Sequence, residues 1–142
     1  IRKLIYKVID MYNKRTQSMS ILNYYLVIVT SGKTPCLSDK HSLVLKRHFE
    51  KVAKSFGIHL LTWDYHDYYL EISFSVDKGN ASVVDFIMVF KSTSSYNIKR
   101  YYPELVGDEL KDTSFWNQGY FLKTLGMMES MHDQTNWLEN LK

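Results

Sequence analysis

Between residues 22 and 125 the apolar residues fall into six blocks whose spacing switches between the two-residue period of a strand and the 3.6-residue period of a helix. The order is strand, helix, strand, strand, helix, strand, and it limits the fold more than any other feature. Leu22 to Thr30 is a β-branched and aromatic run closed by Ser31-Gly32-Lys33-Thr34-Pro35, which predicts a buried strand and a loop. From Ser38, the residues Leu45, Phe49, Val52, Ala53 and Phe56 recur at helical spacing until Gly57, a residue suited to the position past a helix C-terminus. Ile58 to Trp63 and Tyr68 to Val76 flank Asp64-Tyr65-His66-Asp67 and predict a hairpin. Ser82 with Asp85 opens a second helix through Val83, Val84, Ile87, Met88, Phe90, Ile98 and Tyr101, which Pro103 stops. Residues 105–114 read as a polar loop, and Tyr120 to Leu125 as a short strand closed by Gly126.

One helix is added at each end. Leu4, Ile5, Val8, Ile9 and Tyr12 lie on one face of an amphipathic helix over 3–14, and Met128, Met131, Leu138 and Leu141 lie on one face of a last helix. The predicted class is α+β, a ferredoxin-like split βαβ with an antiparallel sheet and helices on one face. Residues 1–20 are then an N-terminal helical extension and residues 21–142 the domain. Such a fold hosts many functions, so function has to come from particular residues.

With 142 residues, 45% of them hydrophobic, the chain has enough material for a core and is no disordered tail. Its formal charge of +3 is unevenly placed, since residues 1–20 hold five basic residues and one acid. Residues 21–142 carry 13 basic and 14 acidic residues, a net of −1, so any contact with nucleic acid must come from a local patch or from the N-terminal helix. A single cysteine, Cys36, excludes an intramolecular disulfide and fits a reducing compartment. No apolar run approaches the roughly 20 residues that span a bilayer. The first residues also lack the pattern of a signal peptide, so the expectation is a cytoplasmic protein with no membrane partner.

Four collinear segments carry a resemblance: Tyr24-Tyr25-Leu26-Val27-Ile28-Val29-Thr30, Phe49 through Gly57, Phe90-Lys91-Ser92-Thr93-Ser94-Ser95, and Phe115-Trp116-Asn117-Gln118-Gly119-Tyr120-Phe121-Leu122-Lys123-Thr124-Leu125-Gly126. Together they resemble the single-tyrosine HUH transposases, enzymes of bacterial insertion sequences that move as single-stranded DNA. The resemblance implies a ferredoxin-like fold and a pair of subunits joined through their sheets, with the last helix exchanged across the interface. It also implies a His-hydrophobic-His motif on the strand after the hairpin, which binds Mg²⁺ or Mn²⁺ to polarise the scissile phosphate. A tyrosine on the last helix attacks that phosphate, and a Gln one turn later completes the metal site.

The sequence departs from the family at each of these places. Asp67-Tyr68-Tyr69-Leu70-Glu71-Ile72-Ser73 puts Tyr68 and Leu70 where the two histidines would stand, or Leu70 and Ile72 in a register counted back from Ser94-Ser95. Trp137-Leu138-Glu139 matches the Tyr-Ile-Glu of the last helix, so Trp137 takes the nucleophile's place and Leu141 that of the Gln. Losing these parts together points to an active site abandoned as a unit, with no catalytic residues, no metal and no cofactor.

Other groupings of polar residues are weaker. His66 with Asp64 and Asp67 has the donors for Mg²⁺ or Mn²⁺, but the two aspartates are expected as turn residues. Glu71 is expected at a solvent-facing or edge position, and His41, His48 and His132 on helix surfaces. His59 alternates out of the sheet or is satisfied within it. Tyr68 and Tyr69 have no His or acid cluster to activate them, and Cys36 has no paired His pattern, so it is expected to be a passive thiol.

For DNA, the positions that could inherit the family's contacts are Lys33, Lys91, Ser94, Ser95, Lys99 and Arg100, with Tyr96 available to stack on an unpaired base. The leading expectation is a homodimer, paired through the sheet edge and C-terminal helix, that binds single-stranded or hairpin DNA without cutting it. A repurposed regulatory role fits that reading. A structural or protein-interaction dimer without DNA binding is the alternative, and a strand transferase with a rebuilt metal site the third reading.

Overall fold

The structure is a computed structural model, and the residues it describes are 3–4, 22–77, 82–125 and 137–141. The elements are β1 (Leu22–Thr30), α1 (Asp39–Ser55), β2 (Ile58–Tyr65), β3 (Tyr69–Val76), α2 (Val83–Tyr101) and β4 (Trp116–Thr124). Short 3₁₀ turns at Ser31–Lys33 and Pro103–Leu105 follow β1 and α2. The four strands form one antiparallel sheet in the order β2-β3-β1-β4, the ferredoxin-like order. The two helices pack on one face of it. No helix among the described residues is long and apolar enough to cross a membrane.

β1 reads as a continuous apolar run because both of its faces are covered. Leu26 and Ile28 point at the helices, Tyr25, Val27 and Val29 point the other way, and none of the five is more than 1% exposed. On the helix side, Phe49 of α1 makes edge contacts with Phe86 at 5.0 Å, Phe90 at 5.3 Å and Trp63 at 5.7 Å. This aromatic centre joins both helices to the sheet, and the edge-on geometry suits the ring quadrupoles.

The helix ends follow from local chemistry. Ser82 Oγ accepts from Asp85 N–H at the start of α2, and Gly57 takes a φ of +63° just past α1, a conformation glycine adopts without strain. His41 is no surface residue: only 7% exposed, it uses Nε2–H to donate to Leu105 O at 2.7 Å. Its Nδ1 is left as an acceptor for Ser38 at the start of α1.

Two elements differ from expectation. β4 begins at Trp116, four positions before the predicted Tyr120, because Trp116 pairs with Thr30 and Tyr120 with Ile28, and Asn117-Gln118-Gly119, of turn composition, is taken up as a bulge between them. Trp116 holds that end, as its Nε1–H donates to Ser94 Oγ at 2.9 Å inside the core. The loop over 105–114 is not wholly polar in its packing, for Leu110 is 2% exposed and joins the helix-side core. Of the predicted helix over 3–14 only residues 3–4 are described, and of the last helix only 137–140, so both expectations mostly lie outside the described residues.

Candidate functional site

The sheet face without helices is the surface on which the C-terminal segment lies. Tyr25, Val27 and Val29 form its buried centre, and Tyr68, Tyr69, Phe121, Trp137, Leu138 and Leu141 pack around them. Trp137 stands 5.9 Å from the ring of Phe121, and Tyr25 meets the same ring edge-on at 6.1 Å. Lys33 ties the segment down by donating to Leu138 O at 3.0 Å.

β3 sits between β2 and β1, so alternation assigns each of its side chains to one face. Leu70 and Ile72 are fully buried in the helix-side core. They cannot line a site with Trp137, which corrects both sequence registers at those positions. The strand residues that share the face of Trp137 are Tyr69 and Glu71, while Tyr68 joins the cluster from the end of the turn. A register error of one residue flips every side chain to the other face, and nothing in Tyr68-Tyr69-Leu70-Glu71-Ile72 breaks that tie locally.

Glu71 is fully buried, which overturns its expected solvent-facing or edge position. The cause is topological, since β3 is an interior strand with partners on both sides. Tyr25 donates to Glu71 Oε2 at 2.7 Å. His66, on the β2–β3 turn, pairs through Nε2 with Glu71 Oε1, and Asp64 Oδ2 lies 4.0 Å from the same nitrogen. The imidazole stacks on Tyr69 at 4.3 Å, and His66 N–H donates to Tyr69 O at 2.8 Å. Asp67, grouped with His66 by the sequence, is not part of this cluster; Glu71 takes its place.

Burial and the neighbouring Glu71 carboxylate push the Tyr25 hydroxyl far above its ordinary value. Burial first, then Glu71, Tyr68 and Asp64, push Tyr69 up to about 12. Neither has the lowered pKa of an activated nucleophile, and Tyr25, beside the Glu71 carboxylate, is buried where no phosphodiester reaches it. The two strand positions therefore offer a phenol and one carboxylate, which do not fit the paired-imidazole metal site that the resemblance implies. One imidazole and two carboxylates do converge beside them.

The residues expected to touch DNA fall into two groups. Lys91 is only 9% exposed and donates to Gln118 O at 2.8 Å, and burial holds its pKa below the usual lysine range. Ser94 is buried against Trp116, and Ser95 Oγ accepts from Phe115 N–H at 3.1 Å. Lys99 donates to Thr113 O, and Lys33 is engaged with Leu138. These five hold the fold together. Arg100 and Tyr96 remain at the surface, where the guanidinium lies 6.0 Å over the Tyr96 ring and 5.7 Å over the Tyr101 ring. Tyr101 was missed as a candidate because i,i+1 neighbours rarely share a helix face; here the long arginine side chain bridges them at the helix end.

Of the remaining candidates, His59 is exposed and pairs with Asp77 at 3.0 Å. His48 contacts Thr93 Oγ1 at 2.7 Å, and burial together with Lys51 lowers its pKa. Cys36 is half-buried with its thiol pKa raised by burial, the behaviour of a passive thiol. His132 lies outside the described residues.

Comparison with known proteins places this architecture. The crystal structure of a protein assigned as a transposase in Deinococcus radiodurans superposes with a TM-score of 0.74 at 19% identity, over 87% of this chain and 93% of that one. A REP-associated tyrosine transposase, solved bound to a REP hairpin, superposes with a TM-score of 0.58 at 7% identity, over 83% of this chain and 67% of that one. At these identities the likeness is one of fold. No curated protein matches the chain. The family model described as "Transposase IS200 like" matches residues 18–140, nearly the whole chain, and the chain belongs to that family.

Proposed function

We propose that this chain is a DNA-binding member of its transposase family that recognises single-stranded or hairpin DNA as a homodimer and does not cut it through a tyrosine. One observation carries the reading: Trp137, which the resemblance puts in the nucleophile's place, packs against Phe121 in the same apolar cluster as Tyr68 and Tyr69. An indole has no hydroxyl to attack a phosphodiester.

DNA as the partner is supported by family membership and by the REP hairpin bound to a neighbour of the same fold. In this chain one exposed group suited to nucleic acid is Arg100 beside Tyr96 and Tyr101, a cation for phosphate with rings for unpaired bases. β4 is an edge strand of the sheet, the position through which a second sheet would join.

The test is fluorescence anisotropy of a labelled hairpin oligonucleotide in EDTA over a range of salt, with light scattering for the dimer. Binding that weakens steeply with salt is expected. No binding at low salt overturns the DNA reading in favour of a purely structural dimer. A covalent adduct with a cleaved oligonucleotide in Mn²⁺ overturns the loss of cleavage.

A further inference from the structure

The polar cluster beside Tyr25 and Tyr69 has a geometry of its own. Asp64 and Glu71 are directly opposite one another across β2 and β3, so their side chains leave the sheet on the same face. His66 reaches back over them from the turn. One ligand atom from each residue lies within 4.8 Å of the other two. Each donor is also oriented before anything binds. Tyr25 occupies Glu71 Oε2 and leaves Oε1 turned toward His66, while the backbone bond to Tyr69 O holds the turn and stacking on the Tyr69 ring orients the imidazole. Outer partners of this kind are what hold metal ligands in register.

The charge balance points the same way. Glu71 is a fully buried carboxylate whose ionic partner among the described residues is the His66 imidazole, and Asp64 adds a second negative charge 4.0 Å from that ring. A divalent cation compensates both carboxylates at once, where a single imidazole cannot. The side chains of Asp64 and His66 are 57% and 36% exposed, so the cluster opens to solvent and leaves room for waters to complete a coordination sphere.

We propose that Asp64, His66 and Glu71 form a site for a divalent first-row cation such as Mn²⁺, held by one carboxylate oxygen from each acid and by His66 Nε2. The donor set of two carboxylates and an imidazole suits Mn²⁺ better than the all-oxygen sphere that Mg²⁺ prefers. It differs from two histidines on one strand, since only Glu71 comes from β3. The site does not depend on DNA binding.

The test is a titration of the full chain with MnCl₂ in the absence of DNA, followed by the electron paramagnetic resonance signal of free Mn²⁺. One bound equivalent per chain is expected, with affinity falling more than about tenfold in Asp64→Asn and in His66→Gln. Asp64 is exposed and His66 half-buried, and thermal melts of both variants without metal check that the fold is kept, which the buried Glu71→Gln does not guarantee. No bound Mn²⁺ at millimolar concentration overturns the proposal, and so does binding that neither substitution weakens. DNA binding measured in EDTA is untouched by either result, so the two readings fail separately.

Discussion

The Tyr25 hydroxyl donates a 2.7 Å hydrogen bond to Glu71 Oε2 in the middle of a sheet, between two side chains that are each no more than 1% exposed. A neutral donor to a buried carboxylate is among the stronger polar contacts a protein makes, at about 1.5–3 kcal/mol, because its loss leaves a buried carboxylate oxygen without a donor. Tyr25→Phe keeps the ring contact with Phe121 and removes only the donor. Urea denaturation of this variant is expected to show a loss in that range with an unchanged slope. A loss near zero means that Glu71 is satisfied from elsewhere.

The same neighbourhood sets the response to alkali. Tyr69 is pushed up to about 12 from an ordinary 10.0, and Tyr25 is shifted in the same direction. A raised folded-state pKa means that the folded protein keeps a proton which the unfolded chain gives up. The stability this contributes is complete below pH 10 and is lost as the pH climbs from 10 toward about 12. Tyr69→Phe removes its share, so the stability of the variant falls less steeply than that of the parent across this window. Parallel curves from chemical denaturation at each pH would contradict the assignment.

Much of this architecture is legible in the chain itself. The blocks from Leu22 to Thr30 and from Ser38 to Gly57 match β1 and α1 almost to the residue, because long periodic segments with a cap or a breaker at their ends leave few alternatives. The start of β4 was not legible, since only the distant pairing of Trp116 with Thr30 carries the strand back across the bulge at Asn117-Gln118-Gly119. The site was harder still. Whether Tyr68 or Tyr69 begins the functional face is a matter of one residue in register, and the neighbours that decide it, Val29 opposite Tyr69 and Val27 opposite Glu71, are about 40 positions away in sequence. Burial of Glu71 and its meeting with His66 follow from that pairing.

The surface cation Arg100 and the buried cation Lys91 separate contacts with DNA from contacts within the protein. Arg100→Ala is expected to weaken binding of hairpin DNA and to lower the salt slope by about one, because one phosphate contact is removed. Tyr96→Ala is expected to weaken it by about 1–3 kcal/mol if the ring stacks on a base. Lys91→Met should leave affinity unchanged and act on stability alone, since its ammonium is spent on Gln118 O and Gly119 O. Anisotropy titrations and melts of the three variants check this. An affinity loss in Lys91→Met equal to that in Arg100→Ala would move the DNA contact to the β4 side of α2.

The register of β3 can itself be tested with histidines. Tyr69 is half-buried on the face shared with Trp137, so Tyr69→His exchanges one planar ring for another beside His66 and is expected to cost about 1 kcal/mol or less. Leu70 is fully buried among the helix-side apolar residues, and Leu70→His forces an imidazole into a site without a polar partner there. That change is expected to cost about 3 kcal/mol or more, and to cost more as the pH falls through the ordinary histidine range, because the charged ring is the worse guest. Melting curves of the two variants at neutral and mildly acidic pH distinguish them. If Leu70→His is the milder of the two, β3 presents the opposite set of side chains to the C-terminal segment, and the assignment of Tyr69 and Glu71 to the functional face falls with it.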